Sequence, residues 1–321
     1  MTTCGCGSEV AVAEQGEQAV ALVEDRLRPH FRRAEAAGHA ADYLRGLLAD
    51  IERKNGWQLA ERAGYEHPRG IQRVLDRYAW DADAVRDDLL QWTIAEVGDP
   101  AGVLVVDETS FPKQGKDSVG VARQYCGALG KVANCQVGVF LGYASPHGHV
   151  GLDRALYLPE KWRADRERGA KAKVPADVPF RTKPELACEL VARALDAGLP
   201  VAWVTADEVY GAAPAFRHFL EERGQRYVLA VKRTEVVTAT RSDGVLGQAT
   251  VESLVAAVPP DGWNRLSCGE GSQGPRLYDW AYITLDPAEG PGWVHGVLLR
   301  RHPVRTDEVA FYRIYAPADT P

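Results

Sequence analysis

The spacing of apolar residues changes character once along this chain. From about residue 17 to residue 98 they recur at helical intervals. Val20, Leu22, Val23, Leu27 and Phe31 fall on one face of a first segment, and Tyr43, Leu44, Leu47, Leu48 and Ile51 on one face of a second. The stretch that follows breaks into shorter helices punctuated by Gly64, Pro68 and Gly70. Two short helices about a glycine-containing turn over 57–78 fit a helix-turn-helix, although a small bundle that only packs is the plainer reading of the pattern.

At Gly102 the period shortens to that of strands. Val103 to Val106 form an apolar, β-branched run that stops on Asp107 and Glu108, ahead of a polar loop carrying Lys113 and Lys116. "RQYCGAL" and "ANCQVGVFLGYAS" predict two strands turning at Gly130-Lys131. No clear period runs from 146 to 183, where Lys161, Arg163, Arg166, Arg168, Lys171 and Lys173 surround Trp162 and outnumber the local acids. "TKPELACELVARALDAG" is a marked helix, with Thr182 as its cap, Pro184 in its first turn and Gly198 past its end. "PVAWVTADEVYG" is a second strand stopping on an Asp-Glu pair, Asp207 and Glu208; a helix ("APAFRHFLEERG") and a strand ("RYVLAVKR") follow. From Thr234 onward short strands separated by Gly and Pro predict a β-rich lobe, with Glu308 ahead of a strand and no closing helix.

Composition narrows the function classes. The chain has 321 residues, 45% of them apolar, enough for a sizeable core. No run approaches the roughly 18 apolar residues of a membrane span, and the N-terminus lacks the basic and apolar regions of a signal peptide. A cytoplasmic protein, nucleoid-associated if it binds DNA, is expected. The six scattered cysteines suit reduced thiols, and Cys4 and Cys6 are expected in a floppy end rather than a metal site. A net charge of −6 does not announce a nucleic-acid binder, although local basic patches decide that question.

The chemistry is carried by the two strands that end alike. If they are neighbours, Asp107 and Asp207 point at one spot, and two carboxylates so close need a cation between them. Hard oxygen ligands suit Mg²⁺ or Mn²⁺, and a pair of such ions stabilises both oxygens exchanged at a phosphodiester. Alternation along a strand lets only one residue of each pair face the site. The aspartates are assigned to it, with Glu108 and Glu208 behind them or facing solvent. A strand-terminal Asp that merely caps a turn is the plain alternative. His147 and His149 read as a polar loop or a metal or phosphate site, and Ser110 has no histidine at readable spacing.

At these residues the chain resembles the DDE transposases of bacterial insertion sequences, specifically the insertion sequence 701 family. "VLVVDETSFPKQGKDSVGVARQYCGALGKVANCQVGVFLGYASPHGHVGLDRALYLPEKW" resembles the first catalytic block and "PVAWVTADEVYG" the second. "ERKNGWQLAERAG" and "QRVLDRYAWDADAVRDDL" are similar to the family's N-terminal helices, and "GPRLYDWA" to its β insertion. The resemblance implies an α/β fold: a helical, DNA-binding region over 1–100, an RNase H-like mixed-sheet core over 101–233 and a β-rich insertion lobe over 234–321. It implies Asp107 and Asp207 as metal-binding catalytic acids. It implies double-stranded DNA (element ends and target) as the partner, no membrane, and a homodimer acting on paired ends. Lys113, Lys116, Lys161, Trp162, Arg163, Arg166, Arg168, Lys171 and Lys173 are the DNA-contact candidates. Two departures stand out. The family's third block, a helix bearing a glutamate, is expected beyond Pro321, as if the chain were truncated, and "DETSFPKQG" replaces a more acidic, basic-paired segment.

Three readings follow. The chain is a transposase or nuclease impaired by the lack of a third acid, a DNA-binding relic that no longer cuts, or an enzyme that uses the Asp107/Asp207 pocket for other chemistry.

Overall fold

Five helices build the first part of the chain in the computed structural model, which describes residues 6–240, 246–272, 274–287 and 292–320. They are α1 (Cys6–Leu27), α2 (Ala34–Leu48), α3 (Gly56–Arg62), α4 (Arg69–Asp76) and α5 (Ala82–Glu96). Cys4 and the side chain of Cys6 lie outside the described residues. The predicted pair of short helices over 57–78 is α3 and α4. Asn55 caps α3, its side-chain oxygen accepting from the backbone N–H of Trp57 and Gln58 at 3.0 and 3.1 Å, which satisfies two otherwise unpaired donors of the first turn. Gly64 ends that helix at a φ of +80°, a conformation open to glycine at no steric penalty. Leu59, Ala60 and Ile71 form the buried centre, with Tyr43, Ile51 and Tyr65 packed around it. Contacts within the chain gather into two units, 1–91 and 92–321.

The second unit is organised by one ten-stranded sheet. Its strands are β1 (Val103–Pro112), β2 (Ala122–Cys126), β3 (Lys131–Ser145), β4 (Gly148–Tyr157), β5 (Trp203–Ala206), β6 (Tyr227–Val231), β9 (Asn264–Gly271), β10 (Gly274–Pro287), β11 (Trp293–Arg301) and β12 (Val309–Pro317). A separate hairpin holds β7 (Val236–Thr240) and β8 (Leu246–Thr250). The order is β2-β3-β1-β5-β6-β12-β11-β10-β9, with β4 also paired to β3. Among the described residues, only β1–β5 and β5–β6 run parallel. Parallel neighbours need crossovers, supplied here by helices: α6 (Glu160–Ala164), α7 (Arg166–Lys171) and α8 (Lys183–Asp196) precede β5, and α9 (Glu208–Gly211) and α10 (Pro214–Glu222) precede β6.

Along β1, Leu104, Val106 and Ser110 are buried while Val105, Asp107, Thr109 and Phe111 are exposed, the two-residue alternation of a strand with one covered face. The covered face continues through Val204 and Leu229, and α8 contributes Leu186, Ala187, Leu190 and Val191 to the interior. Each Leu or Val so withdrawn from water is worth about 1.5–3 kcal/mol. The start of α8 is as its sequence predicts: Thr182 and Glu185 form a reciprocal capping box, with Pro184 in the first turn. Cys126, Cys135, Cys188 and Cys268 are free thiols.

Three expectations are revised. β1 does not stop at Asp107 but runs to Pro112, because antiparallel pairing with β3 continues from Val103↔Ala144 to Pro112↔Cys135. The segment without a clear period contains β4, held by its ladder to β3 despite two glycines within it. The β-rich C-terminal strands extend the central sheet, β12 pairing with β6 from Phe311↔Val231 to Tyr315↔Tyr227.

Candidate active site

The register of the parallel pair brings the two acids together. Val106 lies opposite Ala206, so the next residues, Asp107 and Asp207, stand side by side where β5 leaves the sheet. β1 goes on beside β3, while the chain after Ala206 turns into α9. Asp207 caps that helix, its Oδ1 accepting from the Val209 N–H at 2.9 Å. The turn sits hard against β6: a Cβ on Gly211 would come within 1.9 Å of the Ala230 carbonyl oxygen, so glycine alone fits this approach. Asp207 is thereby anchored on rigid backbone.

The electrostatics there are unfavourable for negative charge. Burial raises the pKa of Asp207 above the usual carboxylate range, and the charges of Glu108 and Asp107 raise it further, against the N–H groups of Val209 and Tyr210. Desolvation and like charge act in the same direction. Glu108 lies on the opposite face of β1 from Asp107 and points inward, where its Oε1 accepts from Lys183 Nζ at 2.6 Å. Its other oxygen, Oε2, is buried with no hydrogen-bond partner, as is the hydroxyl of the fully buried Tyr210. Burial, then the charges of Glu108, Asp207 and Asp107, pushes the Tyr210 pKa far above its ordinary value. Lys183 is thus the ammonium that neutralises Glu108, contributed by the first residue of α8. No local pattern signals this pair, since 75 positions separate its members.

Glu208, the first residue of α9, is exposed. Ser110 is buried, and its hydroxyl accepts from the Gly127 N–H at 3.2 Å, a structural role. His147 and His149 lie at the β3–β4 turn, near the start of β1 and away from Asp107; His147 is 3.3 Å from Asp99. Among the described residues, no three His, Cys, Asp or Glu side chains converge closely enough to hold a metal ion together.

The basic candidates form a surface with a buried centre. Lys113, Lys116, Lys161, Arg163, Arg166, Lys171 and Lys173 are exposed. Trp162 is fully buried, donating its Nε1–H to the Val121 carbonyl at 2.8 Å, with the Arg168 guanidinium 3.8 Å above its ring. Arg168 also donates to the carbonyls of Lys116 and Val121. These two residues tie the loop after β1 to α6 and α7. Their place in a cation-rich sequence suggested a surface role, yet an indole amid charged residues is here the packing anchor. A groove of about 620 Å³, lined by Glu160, Arg163, Arg166, Val174 and Val178 among others, opens beside them.

Comparison with known proteins agrees with this architecture. A "Probable transposase for insertion sequence element IS701" from Microchaete diplosiphon is 30% identical over 198 residues, covering 60% of this chain and 48% of that relative. The chain therefore aligns with about half the length of this relative. Residues 26–273, most of both units, match the family described as "DDE superfamily endonuclease". With a mixed sheet that sets two aspartates side by side at a run of parallel strands, and a family match across more than half its length, the chain belongs to the DDE superfamily endonucleases.

Proposed function

We propose that this protein cleaves DNA phosphodiesters and transfers strand ends, with Asp107 and Asp207 holding Mg²⁺ or Mn²⁺. The observation that carries this reading is the uncompensated carboxylate pair: Asp207, anchored at a helix start and raised in pKa by burial, Glu108 and Asp107. The donor set fits a hard divalent cation, which is commonly held by one or two carboxylates while water and substrate phosphates complete its shell. Such ions, when bound, neutralise charge on the attacking and leaving oxygens of an in-line displacement.

The remaining roles belong to the chain's own residues. The Val209 N–H fixes the direction of the Asp207 carboxylate. Lys183 holds Glu108 in an ion pair turned away from Asp107, leaving the exposed face of β1 to substrate. Lys113, Lys116, Lys161, Arg163, Arg166, Lys171 and Lys173 supply phosphate contacts whose strength falls steeply with salt. Trp162 and Arg168 hold that surface in shape. In this division of labour, the helices of 1–100 bind DNA, 101–233 carries the chemistry, and the strands of 234–321 extend the core, with two chains acting on paired ends.

A DNA-binding protein that does not cut is the second reading, favoured by the lack, among the described residues, of a three-carboxylate cluster. A nicking assay on supercoiled plasmid with Mn²⁺ separates the two. Nicking that disappears in Asp107→Ala and Asp207→Ala is the expected result. Salt-sensitive binding with no nicking transfers the case to the second reading.

A further inference from the structure

The helix that follows Asp207 is short, and both of its ends are held by side chains. α9 has four residues, too few to stay wound unaided, because nucleating a helix fixes several residues for one hydrogen bond. Its start is fastened by the Asp207 side chain, and its turn is closed by the Gly211 N–H, which donates to the Asp207 carbonyl at 2.9 Å. Its end is fastened from α10. There the Arg217 guanidinium donates from Nη1 to the Gly211 carbonyl, one of the acceptors that a helix leaves unpaired at its C-terminus. Gly211 is buried, so this oxygen depends on a protein donor.

Arg217 is gripped from its other side as well. Its Nη1 lies 3.5 Å from Glu235 Oε1, and both side chains are largely buried. Glu235 sits between β6 and β7, and its carbonyl accepts from the Val251 N–H at 2.9 Å, just beyond β8. Arg313 of β12 approaches the same carboxylate oxygen at 4.0 Å. Val106, Ala206, Leu229 and Arg313 are successive partners across β1, β5, β6 and β12, one row short of the acids. Two guanidiniums thus converge on one carboxylate in a poorly hydrated place. Burial, then the charge of Arg217, holds the Arg313 pKa below its ordinary value; Glu235 and Glu221 offset this in smaller measure. The Arg313 Nε is buried with no hydrogen-bond partner. Buried ion pairs are often replaceable by apolar residues without loss of stability, so stability alone does not account for a second arginine here. A planar fork that reaches a carbonyl and a carboxylate together does.

We propose that Arg217 is a positioning residue for Asp207: it ties the carbonyl end of α9 to Glu235 and so fixes the direction in which the Asp207 carboxylate meets a cation. The path is short. Asp207 Oδ1 is aimed by the Val209 N–H, the Val209 N–H is placed by the winding of α9, and the last carbonyl of α9 is held by Arg217. Arg217 touches neither metal nor substrate and acts through this turn. The inference rests on the reading of Asp207 as a cation ligand, but the hold on the turn is measurable without any cation.

The test uses the full-length chain without DNA, as wild type, Arg217→Met and Arg217→Lys. Hydrogen exchange in EDTA, read by mass spectrometry, is expected to speed up in the peptide covering 207–212 of Arg217→Met and to stay unchanged in β5. Calorimetric titration with Mn²⁺ is expected to show an affinity about 10–100-fold weaker, the usual loss when a group that orients a metal ligand is removed. Arg217→Lys keeps the charge but not the fork, and falls between the two. Should Arg217→Met fail to fold, Arg217→Lys carries the same comparison. Three results overturn the inference: unchanged exchange at 207–212, exchange that rises equally throughout the second unit, or wild-type Mn²⁺ affinity in a variant whose exchange is faster. Arg217→Lys matching the wild type in both measurements also overturns it, since charge alone would then suffice. A wild type that binds no Mn²⁺, with exchange responding at 207–212 alone, removes the cation reading and leaves the hold on the Asp207 turn standing.

Discussion

Two aspartates of the second unit, Asp279 buried and Asp207 half-buried, have opposite surroundings. Asp279, in β10, is flanked across the sheet by Arg265 of β9 and Arg301 of β11, each directly opposite it in register. Their nitrogens lie 2.8 and 3.5 Å from its carboxylate, and the Arg265 hydrogen bond, before all else, holds its pKa below the usual carboxylate range. Asp207 has Glu108 and Asp107 where Asp279 has arginines, and its pKa moves the other way. One environment was built to hold a charge and the other leaves a charge unanswered. Strongly perturbed groups gather at functional sites, and structural ion pairs perturb pKa values as well; the sign of the neighbouring charge separates the two cases here.

Substitutions sharpen the contrast, and the largest effects fall on activity. Asp107→Ala and Asp207→Ala are each expected to lower metal-dependent nicking by about 10²–10³-fold, the usual loss when a group stabilising transition-state charge is removed. Asp279→Ala leaves nicking measurable but destabilises the fold by about 1–3 kcal/mol, as expected for lost hydrogen bonds to charged groups, read from urea unfolding. If Asp279→Ala abolished nicking in a folded protein, the division between structural and functional acid would fail.

Smaller effects concern pH. The folded pKa of Asp207 lies above its unfolded value, so this group favours the fold below the unfolded pKa, and the contribution is lost as pH rises through the folded pKa. Asp207→Asn, which retains a good helix cap, is therefore expected to raise the melting temperature slightly at neutral pH and not at acid pH. Asp279 works in the opposite sense. Its stabilisation is present above the unfolded pKa and is lost as pH falls through the depressed folded one. Melting curves of wild type, Asp207→Asn and Asp279→Asn from acid to neutral pH should diverge in these two directions. Parallel curves would remove the contrast.

How much of this could be read from the chain depends on range. The α8 start was legible because Thr182, Pro184 and Glu185 act within one turn. The two neighbouring strand ends were legible because each is a short apolar run, and alternation in β1 separated Asp107 from Glu108. Long-range partners were not. Nothing near Glu108 announced Lys183, and nothing in "VAFYRIYA" placed β12 beside β6, because both contacts depend on how the sheet closes. The length of β1 was misread for the same reason: β3 sustains pairing through Thr109–Pro112, whose own sequence resembles a loop. The burial of Trp162 was hidden by the cations around it.

The central claim is that Asp107 and Asp207 form a cation site. Thermal unfolding at neutral pH with and without saturating Mg²⁺ or Mn²⁺, for wild type, Asp107→Asn and Asp207→Asn, tests it most directly. A cation at about 100 times its Kd stabilises the folded state by about 2.7 kcal/mol. The wild type should show a shift of that order and each variant little or none. An equal shift in all three proteins, or none in the wild type, would contradict the assignment.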